Sequence, residues 1–161
     1  MNDFDIMNRM NILLVYATYS SGTKVATDIV ASSLSEIGHS VKVMEVAELN
    51  PDELANYEMI IMGSPSWYNS EKDGMPHEDF ITFVEKSKGK IFEGKKFAVF
   101  GLGDKSYAHF CGAVDYLENF ITQIKGTLAG QSIRIDSFFN DESAKEESLK
   151  SWARSLTANA N

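Results

Sequence analysis

Tyr16-Ala-Thr-Tyr-Ser-Ser-Gly-Thr23 is the stretch on which the rest of the chain is organised. It follows an apolar run, Ile12-Leu-Leu-Val15, that reads as a buried strand. It precedes residues 24–37, where Val25, Ile29, Val30, Leu34 and Ile37 recur at helical spacing and Gly38 stands where a C′ glycine would end the helix. A loop from a strand's carboxyl end into a helix start exposes unpaired backbone N–H groups beside the positive end of the helix dipole. That is a place to hold an anion. Thr18, Ser20, Ser21 and Thr23 add four hydroxyls, and Gly22 allows close backbone approach or a positive φ. The loop contains neither Lys nor Arg, so a phosphate here would be held by neutral donors, with Lys24 the only cation nearby. A turn with an ordinary N-cap would have the same composition. ATP-type and NAD-type loops are disfavoured: there is no G-x-x-x-x-G-K-[ST], and Gly101-Leu-Gly103 lacks the third glycine of G-x-G-x-x-G.

At 161 residues with 43% hydrophobic residues, the chain is long enough for one well-buried core and too short to predict two domains. Residues 1–10 are polar, acidic and aperiodic and read as a disordered extension, with one domain over 11–161. Neither a signal-peptide core nor a run of about 18 apolar residues is present, so the expectation is a cytoplasmic protein that does not engage a membrane. The lone cysteine, Cys111, rules out an internal disulfide and a cysteine-based metal cluster. His39, His77 and His109 are isolated without ligand spacing, so no metal is expected. A net charge of −8 should repel nucleic acid and attract basic protein partners.

Further strands are predicted at Val41–Val46, half exposed and so at an edge, at Met59–Met62, at Phe97–Phe100, and at Leu128–Ile135, continuous despite its mid-strand Gly130. Helical patterns lie between them, one opening with Pro76 in its first turn, another over Val114–Ile124, and a last one after Asp141 carrying Trp152 on its core stripe. Alternating strands and helices imply right-handed crossovers and a doubly wound, five-stranded parallel sheet of order 2-1-3-4-5 with helices on both faces. In such a sheet a ligand sits at the carboxyl ends, at the switch point between strands one and three.

Two long loops, Gly63–Met75 and Gly101–Cys111, leave interior strands on that same rim. Trp67 and Tyr68 on the first, and Tyr107 on the second, are aromatics on polar loops. Two such rings across a phosphate-anchored crevice could sandwich a planar ligand such as a flavin; either ring could equally cover hydrophobic surface beneath its loop. Cys111, opening a helix, is either a thiol of lowered pKa or a packing residue.

These segments resemble the flavodoxin family. Thr18-Tyr-Ser-Ser-Gly-Thr23 is similar to its phosphate loop, Gly63-Ser-Pro-Ser-Trp67 to its first flavin-flanking loop, and Gly101-Leu-Gly-Asp-Lys-Ser-Tyr107 with Phe110-Cys-Gly-Ala-Val-Asp115 to its second. The likeness runs over nearly the whole chain from Asn11, and fits the short-chain type because no inserted loop interrupts the fifth strand. It implies a low-potential one-electron carrier with non-covalent FMN cycling through quinone, semiquinone and hydroquinone, an electron-transfer protein and not an enzyme. It implies FMN contacts at Thr18, Tyr19, Ser20, Ser21, Gly22 and Thr23; at Pro65, Ser66, Trp67, Tyr68 and Asn69; and at Leu102, Gly103, Asp104, Tyr107, Phe110 and Cys111. Trp67 and Tyr107 would take the two ring faces, and the backbone around Leu102, Asp104 and Cys111 the pyrimidine edge. The family often carries Gly then a polar residue where this chain has Ser21-Gly22, and a hydroxyl residue where it has Pro65. Redox partners with basic docking surfaces and a monomeric state are expected. The alternatives on this fold are an FMN-dependent reductase of small substrates such as quinones, which needs the ring face that Tyr107 would cover, and a flavin-less interaction module. A phosphoacceptor receiver domain needs an Asp where Gly63-Ser64 end strand three.

Overall fold

The computed structural model describes residues 8–158 together with residue 3. The disordered extension expected over residues 1–10 falls largely on residues 1, 2 and 4–7, outside the described residues, as do residues 159–161. At its inner end Met10 is buried. Its N–H donates to His39 Nδ1 at 3.1 Å, and its carbonyl accepts from the Ser40 N–H at 2.9 Å. The ordered sheet therefore reaches back one residue before Asn11.

The strands and helices run β1 (Asn11–Tyr16), α1 (Gly22–Glu36), β2 (Ser40–Glu45), β3 (Met59–Pro65), β4 (Trp67–Asn69), β5 (Lys72–Met75), α2 (Glu78–Lys86), β6 (Lys96–Gly103), α3 (Gly112–Gln123), β7 (Thr127–Leu128), β8 (Ile133–Asp136) and α4 (Glu142–Thr157). The main sheet has the order β2-β1-β3-β6-β7, with β8 also on β6, and every pairing in it is parallel. This is the doubly wound architecture expected. The pleat sorts the interior strands into two cores, because successive side chains point to opposite faces. Leu13, Val15, Ile60, Met62, Phe97 and Val99 pack against Phe80 and Phe83 of α2 and Val114 and Leu117 of α3. Ile12, Leu14, Met59, Ile61, Ala98 and Phe100 pack against Val30 and Leu34 of α1 and Leu149 and Ala153 of α4. β2, with Lys42 and Glu45 exposed, is the half-open edge.

Four expectations need correction. The fifth strand is broken: the Ala129 N–H still donates to the Phe97 carbonyl of β6 at 2.7 Å, but residues 130–132 leave the ladder before Ile133. Side chains from both faces occupy their polar groups, with Trp152 Nε1 donating to the Gln131 carbonyl at 2.8 Å and Ser132 Oγ donating to Glu118 at 2.6 Å. The Gly63–Met75 loop is mostly structured, because β3 runs on to Pro65 and β4 and β5 form an antiparallel hairpin with an irregularity between Trp67 and Asn69. β6 likewise runs to Gly103, which shortens the second loop. Pro76 lies outside α2; His77 is the N-cap, its Nδ1 accepting from the Asp79 N–H at 3.1 Å. Two 3₁₀ turns, Val46–Glu48 and Pro51–Asn56, bridge β2 to β3; the second carries a capping box from Asn50 and Glu53.

Candidate functional site

The carboxyl ends of β1, β3 and β6 open into a cleft of about 400 Å³. It is lined by Thr18, Tyr19, Ser20, Gly22, Thr23, Pro65, Ser66, Trp67, Tyr68, Leu102, Gly103, Asp104, Tyr107 and Cys111, which the sequence pointed to, and by Asp73, His109, Phe138 and Phe139, which it did not. Ser21, Asn69 and Phe110 were expected at the site and do not line the cleft. Ser21 is the N-cap of α1 with its hydroxyl donating to the Ser20 carbonyl at 2.7 Å. Asn69 ends β4, and Phe110 packs on the core beneath its loop, with Lys105 Nζ 5.6 Å from its ring centre.

The anion-loop geometry follows from how α1 begins. Ser21 itself takes the left-handed conformation, φ 61°, and no side chain caps the helix. Positive φ therefore falls on Ser21 and not on Gly22, whose role is close approach. Thr23 is buried, and Thr18 Oγ1 is buried without a hydrogen-bond partner. An unpartnered buried hydroxyl carries a desolvation cost of about 1–3 kcal/mol, which an anion accepting its hydrogen would relieve. Lys24 is drawn away by Asp28 at 2.5 Å. Tyr19 leaves this loop to stack on His77 (centroids 4.0 Å, planes at 29°) and to meet Trp67 edge-on at 5.3 Å, its hydroxyl accepting from the Glu78 N–H at 3.4 Å. The first loop is thereby tied to the second.

The second and third loops are fastened by backbone groups. The Ser66 N–H donates to the Leu102 carbonyl at 3.0 Å, and Ser66 Oγ accepts from the Ala113 N–H at 3.0 Å. Asp73 places one carboxylate oxygen on each loop, accepting from the Gly74 N–H at 2.9 Å and the His109 N–H at 3.2 Å. The contact is close enough that a Cβ on Gly74, at φ +71°, would lie 2.7 Å from His109 Cβ. Arg134 grips Asp115 through both its terminal nitrogens, at 2.7 and 3.2 Å, and donates to the Cys111 carbonyl at 2.8 Å. Asp104 accepts from the Ser106 N–H and hydroxyl at 2.8 and 2.6 Å, bonds that hold its carboxyl below the usual range. Cys111, fully buried at the α3 N-cap, is the packing residue: burial pushes its thiol up to about 12, against the pull of Arg134, so the lowered pKa does not arise. Trp67, Tyr68 and Tyr107 remain 51%, 69% and 65% exposed on this rigid frame. Among the described residues no group of His, Cys, Asp and Glu could hold a metal ion, and no helix is long and apolar enough to cross a membrane.

The missed residues had one legible signal. Phe138-Phe139 follow the last strand, whose carboxyl end must share the rim with the others, so two aromatics there could have been assigned to the cleft. Asp73 and His109 gave none, because their roles depend on which loops meet.

A parallel sheet of this order, with an uncapped helix start and exposed aromatics at its switch point, defines a flavodoxin-like α/β protein. The sequence model of one family, described as Flavodoxin, matches residues 14–152. The protein called "Probable flavodoxin 2" of Bacillus subtilis is 37% identical over 144 residues, covering 89% of this chain and 91% of the relative. The crystal structure of oxidised Flavodoxin 2 from Bacillus cereus superposes with a TM-score of 0.79 at 28% identity, over 91% of this chain and 97% of the other. A Fusobacterium nucleatum flavodoxin, solved bound to flavin mononucleotide, shares the fold at a TM-score of 0.78 and 20% identity, over 91% and 96%. The chain belongs to the flavodoxin family.

Proposed function

We propose that this flavodoxin is a low-potential one-electron carrier that holds one FMN non-covalently in the cleft. The unpartnered Thr18 hydroxyl beside the uncapped start of α1 carries the reading, because it fits a phosphate and none of the described residues uses it. Bound FMN would supply the redox chemistry, accepting and giving up electrons singly. Thr18, Ser20 and Thr23 hydroxyls with the first N–H groups of α1 hold the phosphate. Trp67 and Tyr107 cover the ring, and the backbone from Leu102 to Asp104 and at Cys111 receives its polar edge. The cross-bonds of Asp73, Ser66 and Arg134 keep those loops fixed, so little ordering entropy is lost on binding. FMN in the Fusobacterium relative supports the cofactor assignment.

Electron carriage, and not catalysis on a small substrate, agrees with the family and with an aromatic cover over the ring. A net charge of −8, with Glu71, Asp73, Glu78, Asp79 and Asp104 on or beside the cleft's loops, suits redox partners with basic docking surfaces. The protein works as a cytoplasmic monomer in this reading. The test is to add FMN to the purified apoprotein and reduce it stepwise with dithionite. One-to-one binding with two separable one-electron stages is expected, and comparable affinity for riboflavin would remove the phosphate assignment. A single two-electron bleaching would favour the reductase.

A further inference from the structure

The turn Ser137-Phe-Phe-Asn140 brings a fourth segment to the rim. It is firmly held. The Ser137 N–H donates to the Gly103 carbonyl at 2.8 Å, the Asn140 N–H to the Ser137 carbonyl at 2.8 Å, and the Lys105 N–H to the Asp136 carboxylate at 2.9 Å. Phe138 is buried against the α1/α4 core, whereas Phe139, edge-on to it at 5.2 Å, is 55% exposed and lines the cleft. The Phe139 ring sits on the first residue of α1. A Cβ at Gly22 would stand 3.3 and 3.6 Å from two of its carbons and 3.5 Å from Leu102 Cδ2, so glycine leaves the ring its seat.

We infer that Phe139 is a cofactor-binding residue that closes the phosphate end of the cleft and shields the Thr18 to Thr23 subsite from water. The inference rests on the FMN reading above. The need for a shield comes from the charge inventory of this subsite. Its loop has no cation, and Lys24 is paired with Asp28, so a dianionic phosphate is held by hydroxyls, N–H groups and a helix end alone. Such neutral donors bind an anion weakly in water and strongly where the local dielectric is low. An apolar ring beside the helix start, placed by a hydrogen-bonded turn, lowers it there. Beyond its contacts with Phe138 and Gly22, more than half of the Phe139 ring is still open to water, and a ligand seated at the helix start can cover that area.

The test uses apoprotein titrated with FMN and with riboflavin by quenching of flavin fluorescence, for wild type, Phe139→Ala and Phe139→Leu. Phe139→Ala should weaken FMN about tenfold, equivalent to about 1.4 kcal/mol, and riboflavin by less than about twofold, with Phe139→Leu between. A role confined to folding would lower both affinities together. Equal losses for the two ligands, or a wild-type FMN constant in Phe139→Ala, would overturn the inference. If Phe139→Ala fails to fold by circular dichroism, the FMN-to-riboflavin ratio of Phe139→Leu decides: a wild-type ratio overturns it, a reduced one supports it. Failure of wild type to bind FMN would instead remove the parent reading.

Discussion

β3 and β6 each put apolar residues to two opposed uses within a few positions. Met59–Met62 and Phe97–Phe100 are sealed from water on both faces, whereas the segments that leave the ends of these strands hold Trp67, Tyr68 and Tyr107 out in solvent. The interior rings and branched chains are surrounded, so their burial stabilises the fold. The rim rings are each more than half exposed. Their apolar area is still available, and a ligand that covers it gains free energy that folding has not already taken.

The sharpest way to break this contrast is inside the sheet. Phe100 lies opposite Gly63 in the β3–β6 register, and its ring occupies the space a Cβ at Gly63 would need. It also meets Trp152 edge-on at 5.9 Å. Phe100→Ala should destabilise the apoprotein by about 3–5 kcal/mol in urea denaturation, the usual cost of emptying a rigid aromatic site. A loss below about 1 kcal/mol would mean that the region collapses to fill the cavity.

At the rim the effect should move from folding to binding. Trp67→Ala and Tyr107→Ala should each weaken FMN by about 1–3 kcal/mol, the scale of one aromatic stacking contact, while the apoprotein's denaturation midpoint stays near wild type. Trp67 is the more informative, because its ring also meets Tyr19 of the phosphate loop edge-on. If both variants bind FMN normally but unfold early, the rings belong to the core and the contrast is wrong.

The contrast also explains what could be read from the sequence. Met59–Met62 and Phe97–Phe100 were legible as interior strands because burial on both faces leaves a continuous apolar run, and their order fixed the rim where the loops converge. The anion loop was legible because hydroxyls, a glycine and a helix start adjoin one another. The hairpin inside 63–75 was not, since it is four-residue and three-residue strands held by a cross-loop carboxylate, Asp73, whose partner His109 is distant in sequence. The break after Leu128 was hidden for the same reason: the partners that take up the polar groups of Gln131 and Ser132 are Trp152 and Glu118, and a local window contains neither. Ser21 in place of a glycine at positive φ runs against local preference, so a local reading of the loop assigns that conformation to Gly22 instead.

Cys111 sits where the two regions meet, lining the cleft while fully buried. With its thiol raised from about 9 to about 12, the folded state holds its proton where the unfolded state has lost it. Stability from this group is therefore complete below about pH 9 and declines above it, by up to about 1.4 kcal/mol per pH unit until pH 12. Comparison of wild type with Cys111→Ser between pH 8 and pH 10 should show an alkaline loss of stability in wild type that the variant lacks. Alkylation by iodoacetamide should stay slow in native protein at pH 9 and become fast in urea. Rapid native alkylation would place the thiol with the exposed rim.

The smallest expected effect belongs to the rim's charges. Asp73 and Asp104 are tied to backbone N–H groups, so replacing them would disturb the loops as well as remove charge. Glu71, Glu78 and Asp79 are the cleaner probes, although Glu78 and Asp79 also favour the N-terminus of α2. A unit charge about 12 Å away through partly solvated protein, at an effective dielectric near 60, is worth roughly 0.5 kcal/mol. Three such charges, halved for salt screening, amount to about 0.7 kcal/mol, or roughly 30 mV for one electron. Conversion of the three to Gln, Gln and Asn should therefore raise the lower of the two FMN midpoint potentials by tens of millivolts. It should also slow reduction by a basic donor protein at low salt, with the difference vanishing near 1 M salt, where the Debye length is about 3 Å. An unchanged potential together with a salt-independent rate would make this face an ordinary solvated surface, leaving the aromatics alone to distinguish the rim from the rest of the molecule.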